Sequence, residues 1–307
     1  MRVCIVGCGA VGSLFAANLA TLPELEVWAY DLDRAHVEAI NRDGLRLSGA
    51  AEVVGRVHAR SDAAELPACD FGIVATKAMH TETAIAASAH AFVGGCVASV
   101  QNGLGNEEVL AAHCERVIRG TTFPAGRLSA PGLVVWEVKG ETTLGPFEGS
   151  PAPLPEIERL ARELTRAGMP CSALADARGP QWRKVIFNAA TNPLGALTGL
   201  THGALCARPD LRALASQLVE EGKAVAAAQG IVLDADPEEL IDYAARPEVA
   251  YGHKASMLQD VEARHPTEVD YLNGGIAEVG RRYGVPTPGH EIIRTLVKGV
   301  EASWRES

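Results

Sequence analysis

At roughly 150 residues per domain, a chain of 307 residues predicts about two domains. Its 28 Lys and Arg stand against 38 Asp and Glu, a net charge of -10, which argues against nucleic acid as the main partner. A small anionic ligand held by a few local donors stays compatible with that balance. With 47% hydrophobic and 21% charged residues the chain reads as an ordinary folded one, which excludes disorder as the main state.

In chain order, the first half alternates short apolar runs with helical patterns, as βα units do. Strands are predicted at 2–6, 26–30, 70–76, 96–100 and 116–119, with helices at 12–22, 34–41, 81–90 and 106–113 between them. Two extended segments, 133–139 and 142–147, then suggest an antiparallel edge. A turn-rich connection at 149–155 leads to a helix at 155–167 and a short strand near 170–173. After Asp176 strand-like alternation stops, and helical periodicity runs to the end with interruptions at Pro193, Pro209, Pro237, Pro247, Pro266 and Pro286. The predicted fold class is α/β: a Rossmann-type dinucleotide-binding domain over 1–175 and an all-helical substrate and catalytic domain over 176–307.

Three further signals carry less weight. Segments 83–106 and 185–207 lack charged residues, yet internal Asn and Gly, and Pro193 in the second, favour buried core over a membrane span. Residues 1–20 imitate a signal peptide, but their glycines have a different explanation. The seven cysteines are odd in number and show no C-x-x-C pair or zinc spacing, so no metal site and a reduced, cytoplasmic setting are expected. Cys4 and Cys96, within apolar runs, read as small buried hydrophobes.

Gly7, Cys8, Gly9, Ala10, Val11 and Gly12 form a G-x-G-x-x-G directly after the first strand and opening the first helix. The first glycine permits a tight turn, the second lets backbone approach a pyrophosphate, and the third allows close helix–strand packing. The helix N-terminus supplies donors and the positive dipole end. Asp31 ends the second strand, 19 residues after Gly12, where a carboxylate can accept from a ribose 2′-hydroxyl. A 2′-phosphate about 4 Å away would be repelled by roughly 4 kcal/mol at an effective dielectric of about 20, before screening. Asp31 therefore favours NAD(H), although Arg34 is close enough to offset part of the repulsion. A different role for Asp31 would be to cap the helix that starts at Arg34.

Ligands of open α/β sheets bind beyond the carboxyl ends of the strands. Lys77 follows one such strand and Gln101-Asn102-Gly103 another, although each could be an ordinary loop. In the helical half, Lys184, Asn188 and Asn192 are spaced i, i+4, i+8 on one helix face, surrounded by Val185, Ile186, Phe187, Ala189 and Ala190. A carbonyl reduced by hydride needs a proton donor where negative charge develops, and desolvation lowers a lysine toward that task. Lys184 is the best candidate. Pro266 suits the first position of a further helix, which would set Glu268 in its first turn, where an acid can serve simply to complement the helix dipole or cap the helix.

Together these residues resemble the ketopantoate reductase (2-dehydropantoate 2-reductase) family over essentially the whole chain. The carriers are Gly7–Gly12, Thr76-Lys77-Ala78, Gln101-Asn102-Gly103, Thr121-Thr122 with Ala125-Gly126, Trp182-Arg183-Lys184 with Asn188 and Asn192-Pro193, Ser256–Asp260, and Thr267-Glu268 with Asn273-Gly274. The resemblance implies a cleft between the two domains and reduction of a small anionic 2-keto acid to a 2-hydroxy acid by nicotinamide hydride. It implies Lys184 as proton donor, and Asn188, Asn192 and Ser256 on the substrate's hydroxyl and carboxylate ends. Lys77, Asn102, the backbone near Gly126 and Glu268 would place cofactor and reacting centre.

Three departures bear on specificity. NADP(H) is the family norm with a basic residue where this chain has Asp31, and His202 and His253 stand where Asn is common. Ketopantoate and a different 2-keto acid both remain open as substrate. A 3-hydroxy-acid dehydrogenase of the β-hydroxyacid family and a non-catalytic dinucleotide sensor stay open as well. A homodimer is a candidate assembly.

Overall fold

The computed structural model describes residues 1–249 and 251–304, and its contacts divide the chain into two compact units. The last three residues of the predicted helical half, 305–307, lie outside the described residues. The first unit is Met1–Gln101 with Asn106–Ala177; the second is Asn102–Gly105 with the chain from Arg178 onward.

In the first unit the elements are β1 (Arg2–Val6), α1 (Ala10–Leu19), β2 (Glu26–Tyr30), α2 (Arg34–Asp43), β3 (Leu45–Gly49), β4 (Val53–Gly55), β5 (His58–Arg60) and β6 (Phe71–Val74). They continue with α3 (Thr81–Ser88), β7 (Cys96–Ser99), α4 (Asn106–Ala111), β8 (Val117–Thr122), β9 (Ala125–Ala130), β10 (Leu133–Val138), β11 (Thr142–Pro146), α5 (Leu154–Arg166) and β12 (Cys171–Ala173). Eight strands form one sheet in the order β12-β11-β8-β7-β6-β1-β2-β5, parallel throughout except between β8 and β11.

Successive residues of β1 show how both faces are covered. Val3 and Ile5 join a core with Leu14 and Phe15 of α1 and Ile157, Leu160 and Leu164 of α5. Cys4 and Val6 point the other way, to a core containing Ile85 of α3 and Leu110 of α4. Cys4 and Cys96 are both buried, as their apolar surroundings predict.

A second sheet, in the order β4-β3-β10-β9, adds β3, β4 and β9 to the predicted segment β10 and corrects the expected antiparallel edge. The segments read as that edge belong to different sheets. β10 pairs in parallel with β3 and antiparallel with β9, whereas β11 pairs antiparallel with β8 in the large sheet. Leu45, Leu47, Val134 and Trp136 of the small sheet share a core with α1. That second packing partner explains why α1 is buried nearly all round, from Gly12 to Leu19.

The second unit holds α6 (Arg178–Thr198), α7 (His202–Cys206), α8 (Pro209–Ala228), α9 (Pro237–Ala244), α10 (Ser256–Glu262), α11 (Asn273–Tyr283) and α12 (Pro288–Ser303). Prolines 209, 237 and 288 start helices, where a missing N–H costs nothing. Two expectations are corrected here. α6 runs through Pro193 instead of stopping there. The helix expected from Pro266 begins only at Asn273, so Glu268 sits in a preceding turn. That turn is strapped down by α12: Glu301 accepts from the Thr267 N–H at 2.9 Å and its hydroxyl at 2.6 Å. Asp270 binds Arg294 at 2.6 Å and Lys298 at 3.2 Å. Among the described residues no helix is long and apolar enough to cross a membrane.

Candidate active site

The glycine turn of the first unit is shaped by what its glycines lack. Gly7 has φ +86°, and a Cβ there would lie 2.5 Å from the Thr76 side chain. A Cβ on Gly12 would come 2.0 Å from the Gly7 carbonyl oxygen, so only glycine lets α1 start this close to β1. A Cβ on Gly9 would meet nothing within 4 Å. That open side, at the N-cap of α1, is the approach a pyrophosphate requires, so the turn fits a dinucleotide.

Asp31 braces this turn. Its Oδ2 accepts from the Cys8 N–H at 2.7 Å and its Oδ1 from the Asp33 N–H at 2.9 Å. The capping role for Asp31 fails, because Asp33 caps α2 by accepting from the His36 N–H at 3.1 Å.

Thr76, which touches Gly7, also accepts from Gln101 Nε2, through its carbonyl at 2.9 Å and its hydroxyl at 3.0 Å. Lys77 follows Thr76, beyond the carboxyl end of β6, as the glycine turn follows the carboxyl end of the neighbouring β1. Gly126 lies in β9 of the small sheet, where an added Cβ would approach the Val135 carbonyl to 2.6 Å.

In the second unit the polar stripe of α6 meets the segment 102–105. Lys184 Nζ donates to Asn102 Oδ1 at 2.8 Å, and Asn188 Nδ2 donates to the same oxygen at 3.4 Å. The segment is held by the turn before α11: the Leu104 N–H donates to the Tyr271 carbonyl at 2.9 Å. Gly103, at φ +88°, sits where a Cβ would lie 2.7 Å from Tyr271, so the strained turn admits only glycine.

Lys184 keeps some exposed surface, yet its ammonium end is desolvated. Burial pulls it down to about 8, against the opposing charge of Glu268, which favours the protonated form. Asn188 and Asn192 are buried on the same stripe. Ser256 begins α10, beside Ala255, whose Cβ would lie 3.9 Å from a Cβ on Gly195 of α6.

His202 has work of its own in this unit. Its Nε2 lies 3.1 Å from the Ile241 carbonyl, and its ring packs 5.6 Å from that of Phe187. Burial lowers its pKa, which keeps the ring neutral. Sequence reasoning did not give roles to Thr76 or Tyr271; only the folded contacts reveal that each fixes a glycine turn.

The sequence profile described as ketopantoate reductase PanE/ApbA matches residues 3–149, and the one described as its C-terminal part matches residues 176–301. The chain belongs to the ketopantoate reductase family. Membership makes it an NAD(P)-dependent oxidoreductase with a nicotinamide dinucleotide as cofactor. It is 34% identical to a 2-dehydropantoate 2-reductase from Archaeoglobus fulgidus over 98% of both chains. A ketopantoate reductase structure from Ralstonia eutropha superposes with a TM-score of 0.88 at 30% identity, covering 99% of this chain and 100% of that one. D-mandelate dehydrogenase with NADH and anilino(oxo)acetate gives 0.89 at 27% identity, covering 99% of each chain.

Proposed function

We propose that this chain reduces ketopantoate to pantoate with NADH, using Lys184 as the proton donor. The observation that carries the reading is the desolvated Lys184, bonded to Asn102 at 2.8 Å and lowered to about 8. A reduced nicotinamide dinucleotide held at the glycine turn would supply the hydride. As the C2 carbonyl accepts it, negative charge grows on oxygen, and Lys184 gives that oxygen a proton from Nζ. Solvent then returns the proton to the neutral amine.

Asn102 aims the ammonium, since its Oδ1 is an acceptor shared with Asn188. Glu268 favours the charged lysine and so keeps it loaded near neutral pH. Asn188, Asn192 and Ser256 bind the substrate's hydroxyl and carboxylate ends, while Lys77 and the backbone near Gly126 help hold the cofactor. NADH is preferred because Asp31 presents an anionic acceptor to the ribose and repels a 2′-phosphate.

The likeness to D-mandelate dehydrogenase favours a second reading, a bulkier 2-keto acid on the same machinery. His202, packed against Phe187 one residue from Asn188, is where such a change of pocket would begin. The deciding experiment is a panel of 2-keto acids, ketopantoate and phenylglyoxylate included, assayed with NADH and with NADPH. Ketopantoate with NADH is expected to give the highest kcat/KM. Preference for phenylglyoxylate would select the second reading, and no oxidation of either cofactor would refute both.

A further inference from the structure

α6 runs through Pro193, and a residue outside the stripe lets it do so. Proline has no N–H for the carbonyl four residues earlier, which here belongs to Ala189. Asn273, the first residue of α11, donates its side-chain Nδ2 to that carbonyl at 2.9 Å. The same nitrogen lies 3.0 Å from His290 Nδ1, and His290 Nε2 lies 3.0 Å from the Leu218 carbonyl of α8.

This set of bonds has a single protonation pattern. Carbonyls only accept, so Ala189 fixes which end of the Asn273 amide faces α6, and Leu218 fixes the His290 proton on Nε2. Nδ1 is then an acceptor for the second N–H of Asn273. Both side chains are fully buried, and burial pushes His290 down to about 4, so the ring stays neutral. The clamped carbonyl lies between Asn188 and Asn192, where Thr191 also bonds back to the Phe187 carbonyl at 2.9 Å.

We propose that Asn273, steadied by His290, is a positioning residue: it replaces the N–H that Pro193 lacks and so keeps Asn192 aligned with Lys184 and Asn188. The proposal rests on the reading above, in which Asn192 binds the keto acid.

The test is a double-mutant cycle of Asn273→Ala and Asn192→Ala, assayed with NADH and ketopantoate, or phenylglyoxylate if the panel selects it. Asn273→Ala should raise KM for the keto acid about tenfold, with kcat changed less than about threefold and the NADH Kd within about twofold. Combined with Asn192→Ala it should add nothing to the KM of Asn192→Ala alone. A purely structural loss would lower kcat with the folded fraction and leave KM in place; that result overturns the proposal, as does a multiplied KM in the double variant. If Asn273→Ala does not fold, His290→Asn should raise KM in the same direction by about threefold or more, and an unchanged KM overturns the proposal. If Asn192→Ala itself leaves KM unchanged, the substrate reading fails first and the proposal falls with it.

Discussion

In the proposed reading, the glycine turn and the α6 stripe are two ways of meeting an anion. The turn does it with backbone: its geometry depends on side chains that are missing, as the 2.0 Å approach at Gly12 and the open side of Gly9 demonstrate. The stripe does it with side chains, through a lysine held by an amide from residue 102 and desolvated by its surroundings. A site made of backbone has no group to titrate near neutral pH. One made of a buried lysine is tuned by its environment and should answer to pH. Substitutions in the two regions should therefore fail in different ways.

The largest effect belongs to the stripe. Lys184→Ala should lower kcat about 10²- to 10⁴-fold while the NADH Kd, read by fluorescence titration, stays where it was. A fall under about tenfold would move proton donation to another group.

Acid should also strike the helical unit selectively. His290 folds with a pKa of about 4, below its ordinary value, so between these values the unfolded chain binds the extra proton. Its contribution to stability is complete above about pH 6.5 and is lost as pH falls through 4, at most about 3 kcal/mol. Urea midpoints of wild type and His290→Asn should converge on acidification; parallel curves would mean that the ring does not govern this loss.

In the turn, Gly12→Ala should destabilise by about 1–3 kcal/mol, because the new methyl meets the Gly7 carbonyl. Gly9→Ala should leave the urea midpoint within about 0.5 kcal/mol of wild type but weaken NADH. Unchanged NADH binding in Gly9→Ala would separate the turn from the pyrophosphate. The smallest effect is expected for Asp31→Ala, a shift of about tenfold toward NADPH in the ratio of kcat/KM values, equivalent to about 1.4 kcal/mol. An unchanged ratio would leave Asp31 as a brace for Cys8 alone.

The two regions also differed in how far they could be read in advance. The turn and its flanking β1 and α1 were legible because their contacts are local and their glycines serve a stated geometry. The i, i+4, i+8 stripe was legible for the same reason. What escaped depends on partners distant in sequence. The small sheet joins β3 to β10, and α6 passes Pro193 because Asn273 supplies the missing donor. The start of α11 was misplaced because Pro266 satisfies a helix-start rule, while Glu301 and Arg294 hold 267–270 as a turn. That Asn102 would bond to Lys184 is a contact across 82 positions, beyond any local pattern.

The central claim, that a desolvated Lys184 donates the proton, is tested most directly by the pH dependence of kcat/KM for keto acid reduction. A lysine lowered to about 8 must be protonated to act, so kcat/KM should be level below that value and fall tenfold per pH unit above it. Oxidation of the hydroxy acid should show the opposite slope. Lys184→Ala should abolish the limb; a limb near 8 that survives in that variant would contradict the account.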